Sequence, residues 1–397
     1  LAQKRTEAWL AVAAVAIGLP VLAIVAFVSY VSSRPPLHPD AAAVTSVMGS
    51  TPLPKWAGAA DESRPVVRAG VAQQNVPGVS VAVGVAGEIV WAEGFGWANV
   101  ETHAPVTPDT RFRIGHVSKA ITSAGVGRLV EAGRLGLGER IQTYVPAFPE
   151  KAWPVTVRDL MAHIAGVRHY RDTEWGDKPT AHCDRAAEGV SAFANDPLLF
   201  QPGTEYRYST YGWVLVSAAV EAAAGKPFIE VMRAQVFDPT AMSHTSADAP
   251  REALADRATS YYQNNFGNET TTGVDYSCFA GGGAFLSTPS DLVRFGFAVN
   301  SGTFLKPDTV RTLQSPQRLT AGTDTAYGLG WMLETIELAG EPTRMAGHAS
   351  RTIEGASTSF LTFPDRGLVV AVSSNLSFAD MRSIAVAIAG AFAKAAK

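Results

Sequence analysis

Lysine is costly to bury without a partner, and Lys119 sits in a run that is apolar at helical spacing, with Val117, Ile121, Val126, Leu129 and Val130 around it. A site role for its amine is therefore expected over a structural one. His116 lies three positions earlier, and residues at i and i+3 share a helix face. An imidazole there can act as a nucleophile or a base. Other chemistries find less support. There is no G-x-S-x-G, so the strand–turn–helix elbow of another large hydrolase class is absent. The eight histidines include no H-E-x-x-H, and His163 and His169 are not at helical ligand spacing, so no metal is expected. Gly281, Gly282 and Gly283 read as a close-packed chain crossing; no Gly-Lys-Ser follows to make a phosphate loop. No cofactor is expected.

Three segments matter together. They are Arg111-Phe112-Arg113-Ile114-Gly115-His116-Val117-Ser118-Lys119, Phe200-Gln201-Pro202-Gly203-Thr204-Glu205-Tyr206-Arg207-Tyr208-Ser209-Thr210, and Gly347-His348-Ala349-Ser350. Supporting text includes Leu160-Met161-Ala162-His163, Val167-Arg168-His169-Tyr170, Ala280-Gly281-Gly282-Gly283, Leu286-Ser287-Thr288 and Tyr327-Gly328-Leu329-Gly330-Trp331. In order and flanks these resemble the three active-site motifs of the serine beta-lactamase and penicillin-binding superfamily. The class C-like branch, with the beta-lactamase-like serine proteases of bacteria and mitochondria, is the nearest in pattern. The resemblance runs from about residue 60 to the C-terminus. It implies acyl transfer. A serine at a helix N-terminus attacks a carbonyl, a lysine three residues on and a motif-two tyrosine handle the proton, and the third motif binds substrate and helps form the oxyanion hole.

Carried over by residue, Lys119 matches the helix lysine and Tyr208 the motif-two tyrosine. Ser209 and Thr210 stand where many relatives have Ser-Asn. His348 matches the third-motif histidine. His348, Ser350 and Thr210 are expected to bind substrate. Two positions depart. His116 occupies the nucleophile position, and Ser350 replaces the third-motif glycine, placing a Cβ where backbone must approach substrate. Ile164-Ala165-Gly166 also stands where relatives usually have Thr-Ser-Gly. Imidazole has no hydroxyl, so the usual ester intermediate cannot form at residue 116. Ser118 lies about 200° around the helix from it and is expected to point away. A third reading has His116 itself as nucleophile or base. Loss or strong reduction of activity is favoured over retention. His163, His169 and His182 read as structural.

The elements that must position these residues can be read from periodicity. A helix is expected over 60–74, strands over 79–85 and 89–95 joined around Gly87-Glu88, and helices over 117–131, 156–165 and 211–224. Thr288, Pro289 and Asp291 open a helix over 287–300. Strands follow over 327–333, 356–363 and 367–373, then a closing helix over 378–394. Strands at both ends with helices between imply one sheet built from both ends of the chain. The fold class expected is α+β: an antiparallel sheet with helices, plus an all-helical subdomain, as in beta-lactamases and transpeptidases.

Residues 9–31 carry no charge, and a helix of that length spans roughly 34 Å, enough to cross a bilayer. Lys4 and Arg5 precede it, which places the N-terminus in the cytoplasm and the folded part outside, in the bacterial periplasm or on the outer face. An uncleaved anchor is favoured over a signal peptide. The expected organisation is a cytoplasmic tail (1–8), a transmembrane anchor (9–31), a Pro/Ser-rich linker (32–55) and a beta-lactamase-like domain (56–397). Within the domain the sheet part covers about 56–115 and 280–397, and the helical part about 116–279. The net charge of −3 offers no nucleic-acid footprint. Cys183 and Cys278 are too few for zinc or a disulfide framework, and two buried thiols are expected over a bridge. The expected partner is a small peptide, ester or beta-lactam-like substrate. The alternative is a catalytically silent domain that binds cell-wall peptide or a protein at the membrane.

Overall fold

The computed structural model describes residues 36–171, 182–248, 254–264, 267–271, 275–352 and 355–397. The membrane segment expected over 9–31 lies outside the described residues, among which no helix is long and apolar enough to cross a membrane.

The main sheet is built from both ends of the chain. Its N-terminal strands are β1 (Ser46–Met48), β2 (Gly78–Val85), β3 (Glu88–Asn99) and the short β4 (Ala104–Pro105). Short pairings follow in the middle of the chain: β5 (Phe112–Arg113), β6 (Ser246–Ala247), the hairpin β7 (Tyr261–Asn264) and β8 (Gly267–Thr270), and β9 (Phe285–Ser287). The C-terminal strands are β10 (Met332–Leu338), β11 (Glu341–Thr352), β12 (Ala356–Phe363) and β13 (Leu368–Ser374). Among the described residues the main sheet has eight strands, ordered β1-β3-β2-β13-β12-β11-β10 with β4 added to β3, and its ladders are antiparallel. The stretch expected as linker joins this sheet, because Ser46, Val47 and Met48 pair with Phe95, Gly94 and Glu93 at its edge.

Strand side chains alternate between faces, so one strand feeds two cores. On β13, Leu368, Val370 and Val372 enter one apolar layer while Val369 and Ala371 enter the other. The first layer is closed by helices α1 (Pro54–Gln73) and α8 (Met381–Ala395), where Phe392 stacks 6.0 Å from both Trp56 and Trp91. The second continues into the helical half through α2 (Ser118–Glu131), α3 (Val157–Met161), α4 (Thr210–Ala224), α5 (Phe228–Met232), α6 (Pro289–Asn300) and α7 (Pro307–Leu313).

Three departures from the expected elements bear on the site. The helix expected over 156–165 ends at Met161, because His163 adopts φ +61° and Gly166 φ +75°, which no helix continues through. The strand expected over 327–333 begins only at Met332, after Gly330 at φ +96°; a Cβ on Gly330 would stand 2.9 Å from the Lys119 carbonyl. Strand β11 has no expectation from periodicity, since Glu341, Pro342, Arg344 and Gly347 give it neither alternation nor β-branched density; only the resemblance put His348 on a strand edge.

Cys183 and Cys278 form a disulfide, contrary to the expected pair of thiols. Beside it, His182 and Asp275 are in contact at 2.8 Å and the Cys183 amide donates to Ser277 Oγ at 2.9 Å. That proximity has no trace in a sequence separation of 95. Replacing both cysteines by alanine is expected to cost about 2–4 kcal/mol, for a crosslink closing so long a loop. Urea unfolding of the pair variant against the parent measures it.

Candidate active site

Helix α2 begins directly after a single tight turn, Gly115–Val117, so His116 sits at the helix entrance and Lys119 is its second residue. Lys119 is completely buried. Its Nζ donates to the Gly282 carbonyl at 2.8 Å, lies 3.3 Å from Thr210 Oγ1, and stands 4.9 Å from the Tyr208 ring centroid. Burial holds its amine well below the usual lysine range. The glycine run that supplies the carbonyl is a tight crossing, as a Cβ on Gly281 would fall 2.2 Å from Thr122 Oγ1. Its role as the lysine's acceptor leaves no mark in the sequence.

His116 Nε2 lies 3.3 Å from the same Thr210 hydroxyl, and its ring centroid is 5.5 Å from that of Tyr208. Burial, then Lys119 and the imidazoles of His348, His169 and His163, push its pKa well below the ordinary value, so it is neutral at physiological pH. Its backbone N–H donates to Ser350 Oγ at 3.0 Å. Ser118 is fully buried, and its hydroxyl has no hydrogen-bond partner among the described residues.

Tyr208 precedes α4, whose N-cap is Ser209. Its hydroxyl is buried without a partner among the described residues, and burial raises its pKa well above the usual phenol range, helped by Tyr206 and Tyr170. A buried polar atom left open is where a ligand, a water or a reacting group belongs. His348, on β11, is also buried; its Nε2 is 3.0 Å from Tyr327 Oη and its Nδ1 2.9 Å from the Ala349 carbonyl. Burial, then Lys119, drives its pKa down to about 3. With Nδ1 donating to the carbonyl, Nε2 accepts from the tyrosine. Thus His116, Lys119, Tyr208, Thr210, His348 and Ser350 come together, although they arise from three distant segments.

Two residues expected to be structural lie beside this group and brace it. His163 holds motif two three times over: its carbonyl accepts from the Arg207 amide at 2.9 Å, its Nδ1 accepts from the Ser209 amide at 3.1 Å, and its ring lies 4.2 Å from that of Tyr208. His169 Nδ1 accepts from the next amide, that of Thr210, at 3.1 Å. The two imidazoles therefore satisfy consecutive amides at the start of α4, which no intrahelical carbonyl can reach. His182 stays outside this group, paired with Asp275.

These buried imidazoles are expected to make the fold acid-sensitive. His116, His163 and His348 resist protonation when folded, whereas the unfolded chain takes up protons near 6.5. Stability present above about pH 6.5 is thus lost as pH falls, for His348 down to about 3. The slope is about 1.4 kcal/mol per pH unit for each such histidine. His348→Gln is expected to flatten urea-derived stability between pH 6 and 4; curves parallel to the parent's would refute the assignment.

Comparison with known proteins agrees with the fold. The profile of the beta-lactamase family matches residues 64–392. The serine beta-lactamase-like protein LACTB, mitochondrial, of Bos taurus is 28% identical, the match covering 85% of this chain and 80% of the relative. Penicillin-binding protein 4* of Bacillus subtilis is 26% identical over 73% of this chain and 66% of its own length. Among solved structures, the octameric penicillin-binding protein homologue from Pyrococcus abyssi superposes with a TM-score of 0.71 at 23% identity, covering 82% of this chain and 76% of that one. The chain belongs to the beta-lactamase family.

Proposed function

We propose that this domain is an acyl-transfer site of the serine-hydrolase type whose attack step is impaired, because an imidazole occupies the position from which a hydroxyl would attack. The substrate class is a small peptide, amide, ester or beta-lactam-like carbonyl compound. The observation that carries the reading is the convergence of Lys119 and Tyr208 on residue 116: a desolvated amine and an open phenol hydroxyl surround a side chain with no hydroxyl to activate. A neutral lysine is a competent base for a hydroxyl three residues before it, and Tyr208 can pass the proton on to a leaving group. His348, Thr210 and Ser350 line the place where the acyl group would lie.

In this reading residues 9–31 anchor the chain in a membrane, with residues 32–55 leading to the folded domain on the extracytoplasmic side. The relatives include a mitochondrial protein and bacterial penicillin-binding proteins, which is compatible with such a setting. The absence of a hydroxyl at residue 116, together with the amide already engaged by Ser350, also favours a second reading, a non-catalytic domain that binds cell-wall peptide or a protein partner. Incubation with a fluorescent penicillin and a fluorophosphonate tests the first. The parent chain is expected to take little or no covalent label and its His116→Ser variant to take it readily. Absence of label from both would leave the binding reading.

A further inference from the structure

A second departure from the expected pattern acts on the same pocket from its other wall. Strand β10 pairs with β11 only as far as Met332 opposite Gly347, whereas β12 pairs with β11 through Thr352. The turn Gly115–Val117 packs against both β11 and β12. Ser350 is buried against it, and its Oγ accepts from the His116 amide at 3.0 Å. That amide lies at a helix entrance, where N–H groups have no intrahelical partner and can instead hold a developing oxyanion.

We propose that Ser350 is an internal occupant of the residue-116 amide, closing the oxyanion position independently of the His116 side chain. The proposal rests on the acyl-transfer reading of the pocket. A structural tie would be the simpler role, but the turn is already fixed elsewhere. Ile114 donates to the Phe285 carbonyl at 3.1 Å, Phe112 and Arg113 pair with Ser287 and Leu286, and Thr358, opposite Ser350 in register, reaches the Arg113 carbonyl at 3.5 Å. A glycine at 350 would leave the amide open to a substrate oxygen. A serine hydroxyl is a neutral acceptor, so an oxyanion can displace it, at the expense of one ordinary hydrogen bond. Restoring a hydroxyl at residue 116 therefore gives only part of the rate the pocket can support.

The test compares the parent, Ser350→Ala, His116→Ser, His116→Ser/Ser350→Ala and His116→Ser/Ser350→Gly. Amide hydrogen exchange at residue 116 is read in the first two, and acylation by a fluorescent penicillin and a nitrophenyl ester in the last three. Ser350→Ala is expected to speed exchange of that amide and, beside His116→Ser, to raise the acylation rate, each by about tenfold. Ser350→Gly should do at least as much, since it also removes the Cβ. Unchanged exchange, or acylation that stays level or falls, overturns the proposal. If no variant is acylated while all remain folded, the acyl-transfer reading fails, and faster or unchanged exchange still decides what Ser350 occupies.

Discussion

His116→Ser is expected to raise the rate at which the pocket forms an acyl adduct, by on the order of 10⁵-fold. Loss of a nucleophile in a serine hydrolase costs about a millionfold in turnover. The smaller figure allows for the amide that Ser350 still occupies. On the proposed reading, Lys119 and Tyr208 are the parts that a serine hydroxyl needs. Lys119 Nζ is held by Gly282 and lies near Thr210 with no carboxylate partner among the described residues, and burial keeps the amine neutral more readily than in water. The His116 ring lies between Thr210 and Tyr208, so removing it opens the volume that an incoming carbonyl needs. Steady-state ester hydrolysis and the rate of penicillin adduct formation, each with the parent alongside, measure the gain. No gain in a folded variant would mean that the pocket has lost more than its attacking group.

Lys119→Met in the His116→Ser background is expected to remove most of that gain, about 10²–10⁴-fold, the usual contribution of a positioned general base. Methionine keeps the length of the stem and leaves no charge to bury. The Gly282 carbonyl and the Thr210 hydroxyl each lose one contact, about 1 kcal/mol apiece. The fold should therefore survive while the rate collapses. The pH dependence gives an independent check. A base whose pKa is lowered by burial is fully available above that pKa, so acylation should rise with pH, level off below the usual lysine range, and fall as pH drops through it. In the methionine variant that inflection should vanish. An unchanged pH profile would assign the proton transfer to another group, with Tyr208 the first alternative to test through Tyr208→Phe.

Apolar runs and the turn or capping residues that bound them located the strands Gly78–Val85 and Ala356–Phe363 and the helices Thr210–Ala224 and Pro289–Asn300 to within two residues; both strands are buried on both faces, so their apolar content and not an alternating face marks them. Such signals missed β11, whose residues owe their extended form to the ladders on either side rather than to their own preference. The positions of His116, Lys119, Tyr208, Thr210, His348 and Ser350 were legible as a set only through the order of three motifs, since spacing along the chain carries no information on distances between segments. What lay beyond reach was the supporting layer. Nothing in the spacing of His163 and His169 shows that their Nδ1 atoms take the amides of Ser209 and Thr210. Nor does Ser350 as a letter in the sequence show that its hydroxyl meets the His116 amide. The disulfide was hidden for the same reason, being a matter of three-dimensional proximity.

The measurement that bears most directly on the proposed site is a peptide-mapped mass spectrum of the parent and the His116→Ser variant after incubation with a fluorophosphonate. An adduct confined to the peptide carrying residue 116, present in the variant and absent from the parent, is the predicted result. An adduct on the parent at Ser118 or Thr210, or no adduct on either folded protein, would contradict it.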